Sequence, residues 1–369
     1  MESKITFGKT EAVSILIIGI TTQLFLNFPR VMSESAGAAG WLLIIYVTVL
    51  TLILFTIIQK LYSRFEGKDI LDIGETVGGG IGRVLIGVIY LVYYIFAVSI
   101  TLREFGEDLK IIALTRSPIS FVLLFFTVGM AIGAYYGIEP LGRLAAIVVP
   151  IVIVGFIIVL SGTVEYYDIS HILPLMGTGP YNIFVNGATR ISVFSGLSML
   201  FLMAPFIGAH RNFKKVGLYG ILISSFFLTI GTLIYLLSIP YPYSNEGFLP
   251  VYQLSRKIDY GRFFQRIESI FVIIWTMTAL VYLSTVLFFI THLFKKTFSL
   301  KFYRPLVAPM TVIVFTLSLV PQSLMKAIEL DTQVFRIFAW IVTFGITLLL
   351  LLIGTVVKRK KEGGVKREK

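Results

Sequence analysis

The chain has no cysteine, three histidines and few charges. Without cysteine there is no disulfide, no thiol nucleophile and no thiolate metal site, and redox usage says nothing about compartment. His171, His210 and His292 are scattered in or beside expected loops, without the spacing that metal ligands need. Charged residues are 14% of 369 positions, roughly half the share in an ordinary soluble domain. No GxxxxGK loop is present to cradle a phosphate, and no nucleophile is set beside a base. Enzymatic activity and a cofactor are therefore not expected. The N-terminus lacks a short apolar stretch followed by a small-residue cleavage site, so no removable leader is expected either.

Apolar residues fill the space. They make up 56% of the chain, with a mean hydropathy of +0.89. Ten runs approach the length needed to cross a bilayer, near 12–32, 38–60, 82–109, 118–136, 140–162, 184–209, 215–239, 263–293, 303–320 and 334–356. These are segments one to ten of an expected all-α polytopic membrane protein. The net charge of +12 does not signal nucleic acid, because the basic residues sit in short loops between the runs. With both termini cytoplasmic, about two thirds of them fall inside, which sets the expected orientation. The expected transporter-like domain is 1–357. The tail 358–369, KRKKEGGVKREK, reads as a disordered strip at the anionic inner leaflet, with partner docking as the alternative.

Segment one, EAVSILIIGITTQLFLNFP, carries Thr21, Thr22, Gln23 and Asn27 before Pro29 and Arg30. Polar groups in hydrocarbon cost free energy unless paired. That cluster predicts a helix interrupted near Thr21-Thr22-Gln23, with freed backbone groups turned to a buried site, as in many secondary transporters. An unbroken helix whose threonines bond back to their own backbone is the alternative. Segment six carries FSGLSM at 194–199 and then Pro205. Aligning Pro205 with Pro29 sets Ser198 against Thr22. Two halves, about 12–162 and 184–356, then form a five-plus-five inverted repeat with broken helices 1 and 6.

Segment three aligns Tyr90, Tyr94, Ala97, Thr101, Glu104 and Asp108 on one helical face. Such a stripe is expected to face the bundle interior or an aqueous vestibule, not lipid, which makes Glu104 a functional candidate. Placed at the outer interface instead, Arg103 and Glu107 would be a plain surface pair. Gly78-Gly79-Gly80 ahead of this segment reads as a flexible loop. The loop 239–262, rich in Pro, Tyr and Gly, suggests a short helical lid over the outer mouth. In segment eight, Thr278 and Tyr282 share a face, and Ser284 with Thr285 forms a hydroxyl pair deeper in. Interhelical hydrogen bonding is the simpler reading of all four.

The run LPVYQLSRKIDYGRFFQRIESIFVIIW at 249–275, with LREF at 102–105 and FPR closing segment one, resembles the spore germination permease family. These are the B-type integral membrane subunits of germinant receptors, within the amino acid–polyamine–organocation transporter superfamily. The resemblance covers essentially the whole chain. It implies ten helices, with the first and sixth unwound around a small nutrient ligand, commonly an amino acid. The ligand carboxylate would meet amides near Thr21, Thr22 and Gln23. Its ammonium would meet carbonyls near Phe194, Ser195 and Gly196, and Ile100, Thr101, Thr278 and Tyr282 would wall the site. One departure stands out: the superfamily's small glycine-rich run at the first break is replaced here by ThrThrGln. The resemblance also implies an A-type membrane subunit and a C-type lipoprotein as partners.

The leading expectation is a germinant receptor B subunit in the cell or spore inner membrane that binds a small neutral ligand, an amino acid. Neutrality is expected because neither break holds a charged side chain, provided Glu104 stays out of the pocket. The alternative is a coupled amino acid transporter, with Ser284 and Thr285 as a sodium site or Glu104 as a proton carrier. A scaffold that has lost its ligand is the third class.

Overall fold

The computed structural model describes residues 8–207, 210–258 and 267–365, and all regular structure among them is helical. Residues 259–266, which hold the middle of the signature run and the end of the expected lid loop, lie outside the described residues. So do Lys4, the side chain of His210 and the last four residues of the tail.

Eight stretches are long and apolar enough to cross a membrane. Segments one and nine are shorter: α1 is Lys9–Thr21, 13 residues, and Arg304–Ser318 has 15. Segment one is interrupted where its polar cluster falls. The Thr21 and Thr22 hydroxyls donate to the carbonyls of Ile17 and Ile18 at 2.7 and 2.6 Å. Thr22–Phe25 then tightens into a 3₁₀ turn, and Leu26 leaves the helical region altogether, with φ −96° and ψ −134°. The expected interruption is present; of the unbroken-helix alternative only the back-bonding of the threonines holds, since the helix breaks after them. The chain resumes as α2, Phe28–Ala36, with Pro29 in its first turn, where a missing N–H costs nothing. Gly37, at φ 61°, ends it, and α3 follows at Gly40–Tyr62.

Segment three is longer than its apolar run. Helix α4 spans Ile70–Ile112 and opens with a capping box, in which Asp69 accepts from the Leu71 and Asp72 amides and Asp72 answers the Asp69 amide. Gly78 and Gly79 do not form a loop, as expected, but a kink inside this helix, with Gly79 at φ 61°. Their missing side chains permit the bend and leave the turns on either side helical. Helices α5, Ile119–Tyr136, and α6, Ile138–Gly162, complete the first half.

The second interruption is wider than the first. Between α7, Pro180–Phe184, and α8, Ser198–Ile207, the chain runs as 3₁₀ helix over Asn186–Leu197. That stretch contains Arg190, so the expectation that neither break holds a charge is not met. Helix α9 covers His210–Ser238, and the loop after it does contain a short helix, α10, Pro250–Arg256, which packs beside the first interruption and α2. Then come α11, Ile267–Thr297, α12, Arg304–Ser318, and α13, Leu324–Glu329. Segment ten holds two π-helical stretches, Leu330–Phe335 and Ile341–Ile346, around α14, Arg336–Trp340. Helix α15 starts at Thr347 and continues to Val365, so the expected disordered tail is helical for most of its length. Lys358 anchors it by donating to the carbonyl of Arg64 at 2.8 Å.

Helix α11 is the spine, packed on α4, α5, α6 and α12, while α1 lies against α9 and α6. Trp275 of α11 is fully buried beside Phe105 of α4, ring centroids 5.1 Å apart. The outer face carries Val92, Phe125, Ile132 and Phe338, all exposed apolar residues suited to hydrocarbon. The Arg103–Glu107 pair forms at 2.7 Å, but with side chains 5% and 14% exposed it is an interior pair, not a surface one.

Candidate ligand site at the helix interruptions

Where the two interruptions pass each other, backbone meets backbone. A Cβ on Gly196 would fall 2.7 Å from the Gly19 carbonyl oxygen, so this crossing tolerates no side chain. Gln23 locks the crossing. Its amide nitrogen donates to Ile20 O and to Val193 O, both at 2.8 Å, which ties the first interruption to the second.

Beside this lock lies a polar cavity of about 470 Å³, mouth included. Segment one contributes Gly19, Thr22, Gln23 and Leu26, and segment six contributes Val193 and Ser195. Thr101 and Glu104 reach it from α4, and Tyr282 from α11. Asp331, Phe335 and Arg336 of segment ten close the remaining side. Arg336 donates from Nε to Asp331 at 2.5 Å and from a terminal nitrogen to the Gln23 side-chain oxygen. Phe335 stacks on Tyr93 with centroids 5.3 Å apart.

Of the expected site residues, the fold therefore brings together Thr22, Gln23, Thr101, Ser195, Tyr282 and Glu104. Thr21 and Thr278 instead line an adjacent apolar pocket with Ile17, Phe25 and Phe156. Ile100, Phe194 and Gly196 are packed nearby without lining the cavity. Thr285 donates to its own helix at Val281 O, 2.7 Å. Ser284 packs on α5, where a Cβ on Gly133 would sit 2.5 Å from its hydroxyl. Neither lines the cavity. The neutrality argument loses its premise, since Glu104, Asp331 and Arg336 all line it.

Sequence reasoning missed segment ten because its charges sit five residues apart. On an α-helix that spacing points two side chains well away from each other, whereas a π-helical turn, with i→i+5 bonding, brings them together. The signal that was there is a pair of opposite charges at the mouth of an apolar run.

The second interruption offers fewer open carbonyls than a bare break. Ser195 O accepts from Ser198 at 2.8 Å, Thr343 at 3.2 Å and Tyr93 at 3.4 Å. Tyr94 adds a 2.7 Å bond to the Ser198 hydroxyl. The polar stripe of segment three thus splits by depth. Thr101 and Glu104 face the cavity, Tyr94 braces the second interruption, and Tyr90 bonds Thr347 of α15 at 2.8 Å. Asp108 is fully buried, and neither of its oxygens has a hydrogen-bond partner among the described residues.

A family profile described as "Spore germination protein" matches residues 7–327. The chain belongs to the spore germination protein family. Among its curated relatives, Spore germination protein B2 of Bacillus subtilis (strain 168) is 24% identical over 280 residues, 74% of each chain. Spore germination protein YndE of the same organism is 24% identical over 379 residues, 98% of each chain. Solved structures give the fold. A Na⁺-coupled sialic acid symporter superposes with a TM-score of 0.67 at 11% identity, covering 93% of this germination protein and 78% of the symporter. MhsT in complex with L-phenylalanine gives 0.66 at 15% identity, covering 96% and 89%. This germination protein is therefore an integral membrane protein with a transporter fold.

Proposed function

We propose that this chain is the B-type, ligand-sensing subunit of a germinant receptor in the spore inner membrane, with both termini cytoplasmic. The observation that carries the reading is the cavity itself. Two interrupted helices cross beside it, and α4, α11 and segment ten bring polar side chains to it. In a protein of a germination family, such a cavity supports reading the ligand as a small nutrient, an amino acid. Ligand binding selects one arrangement of the interrupted helices, and that shift passes to an A-type membrane subunit and a C-type lipoprotein. Sensing of this kind needs only different affinities for two states.

A coupled transporter is the second reading, and the shared fold with a Na⁺-coupled symporter supports it. Purified protein in liposomes, given labelled neutral amino acids under imposed proton and sodium gradients, separates the two. Saturable binding without accumulation supports the sensor. Gradient-driven accumulation above equilibrium replaces it with the transporter.

A further inference from the structure

In this cavity the backbone groups that would hold a zwitterion are largely taken. Val193 O accepts from Gln23, and Ser195 O accepts from three hydroxyls. On the first interruption, the Thr22 amide donates to Ile18 O and the Leu26 amide to Gln23 O. Charged side chains face the same space instead. Arg336 holds Asp331 with one edge, and a terminal nitrogen is given to the Gln23 amide oxygen, a neutral acceptor. Glu104 stands on the cavity wall and forms no ion pair among the described residues.

A guanidinium bound to an amide oxygen gains by exchanging it for a carboxylate, since hydrogen bonds between two ionised partners are the stronger kind. An ammonium group gains likewise from a carboxylate that no cation contacts directly; Arg336 attracts Glu104 through space but bonds Asp331 and Gln23 instead. Leu26, Val193, Phe335 and Tyr282 give the wall an apolar and aromatic part, beside Thr22, Thr101 and Ser195.

We propose that side-chain charges hold the ligand of this chain as a zwitterionic α-amino acid with a small apolar side chain. Its carboxylate takes the place of the Gln23 oxygen on Arg336, and its ammonium meets Glu104. This rests on reading the cavity as the ligand site. It adds a consequence for signalling. The residue displaced from Arg336 is the one that ties the two interrupted helices, so ligand arrival acts on their crossing directly.

The test uses the full chain in lipid nanodiscs, titrated with each standard L-amino acid and then with the carboxamide and the N-acetyl derivative of the tightest binder. Wild type should prefer the free amino acid to both derivatives. In Arg336→Gln the free acid should lose at least about thirtyfold in affinity and no longer be preferred to its carboxamide. Arg336→Lys should recover part of that preference. In Glu104→Gln the free acid should no longer be preferred to its N-acetyl form. Thermal melts of each variant confirm folding, and the wild-type comparison of acid with carboxamide needs no variant. Equal binding of acid and carboxamide by wild type overturns the proposal while leaving an amino-acid site in place. Absence of binding by every amino acid overturns the cavity reading, and the proposal with it.

Discussion

The Gln23 side-chain amide, on the first interrupted helix, donates to the Val193 carbonyl on the second across 2.8 Å. One neutral side chain thus bridges the two breaks and also caps a guanidinium of segment ten. It closes with side-chain bonds a space that bare backbone would leave open.

Gln23→Ala should therefore cost stability before it affects anything else. Two donated bonds are lost, and Ile20 O and Val193 O are left short of partners. At about 1 kcal/mol each these cost about 2 kcal/mol, and the lost bond from Arg336 adds about 1.5–3 kcal/mol. A melt of the purified protein in detergent should show the midpoint several degrees lower. An unchanged midpoint would mean that backbone packing alone fixes the crossing.

Two glycine substitutions should behave oppositely. Gly196→Ala puts a methyl 2.7 Å from Gly19 O, a backbone atom that cannot swing aside. Overpacking of this kind costs about 1–3 kcal/mol. Gly80→Ala meets nothing within 4 Å and lies in helical backbone, so it should be neutral or stabilising by about 0.5–1 kcal/mol. Equal melting points for the two variants would refute the close crossing.

The residues of segment one made its break legible, because Thr, Thr, Gln and Asn in an apolar run have few places to go in hydrocarbon. The stripe on segment three was legible from its period, and Thr101 and Glu104 do reach the cavity. Three features escaped. Asp331 and Arg336 meet through a π-helical turn, which a 3.6-residue period does not anticipate. Thr278 and Tyr282 share a helical face, yet Thr278 faces an apolar pocket because that face spans more than one neighbour. The width of the second interruption was hidden because Asn186–Leu197 has no proline and only one charged residue to mark it.

Asp331 and Arg336 form an interior pair, their side chains 13% and 12% exposed. Removing one partner leaves the other charge uncompensated, so Arg336→Met and Asp331→Leu should each destabilise by about 3–5 kcal/mol. The double variant should be less damaged than the two single losses added together, since neither partner is then left without the other. A double-mutant cycle of melting free energies measures this coupling. Simple additivity would show that the two side chains do not depend on each other.

At the opposite end of α4, Asp69 caps the helix and takes Lys296 of α11 at 2.5 Å, while Asp72 takes the same ammonium at 2.7 Å. Burial pushes the Asp69 carboxyl from its ordinary 3.8 up to about 6, against the pull of Lys296 and with the help of the Asp72 charge. Because the folded value lies above the unfolded one, the fold is favoured when Asp69 is protonated. That contribution is complete below about pH 4 and is lost as pH rises through about 6. Two pKa steps correspond to a span on the order of 3 kcal/mol. Asp69→Asn keeps a capping side chain but removes the titration. Wild type should therefore gain stability relative to Asp69→Asn as pH is lowered from 7 to 4, with the change centred between the two pKa values. Denaturation free energies of both proteins, measured in one detergent across that range, give the difference directly. Parallel pH curves would mean that Lys296 offsets the burial penalty of Asp69 fully.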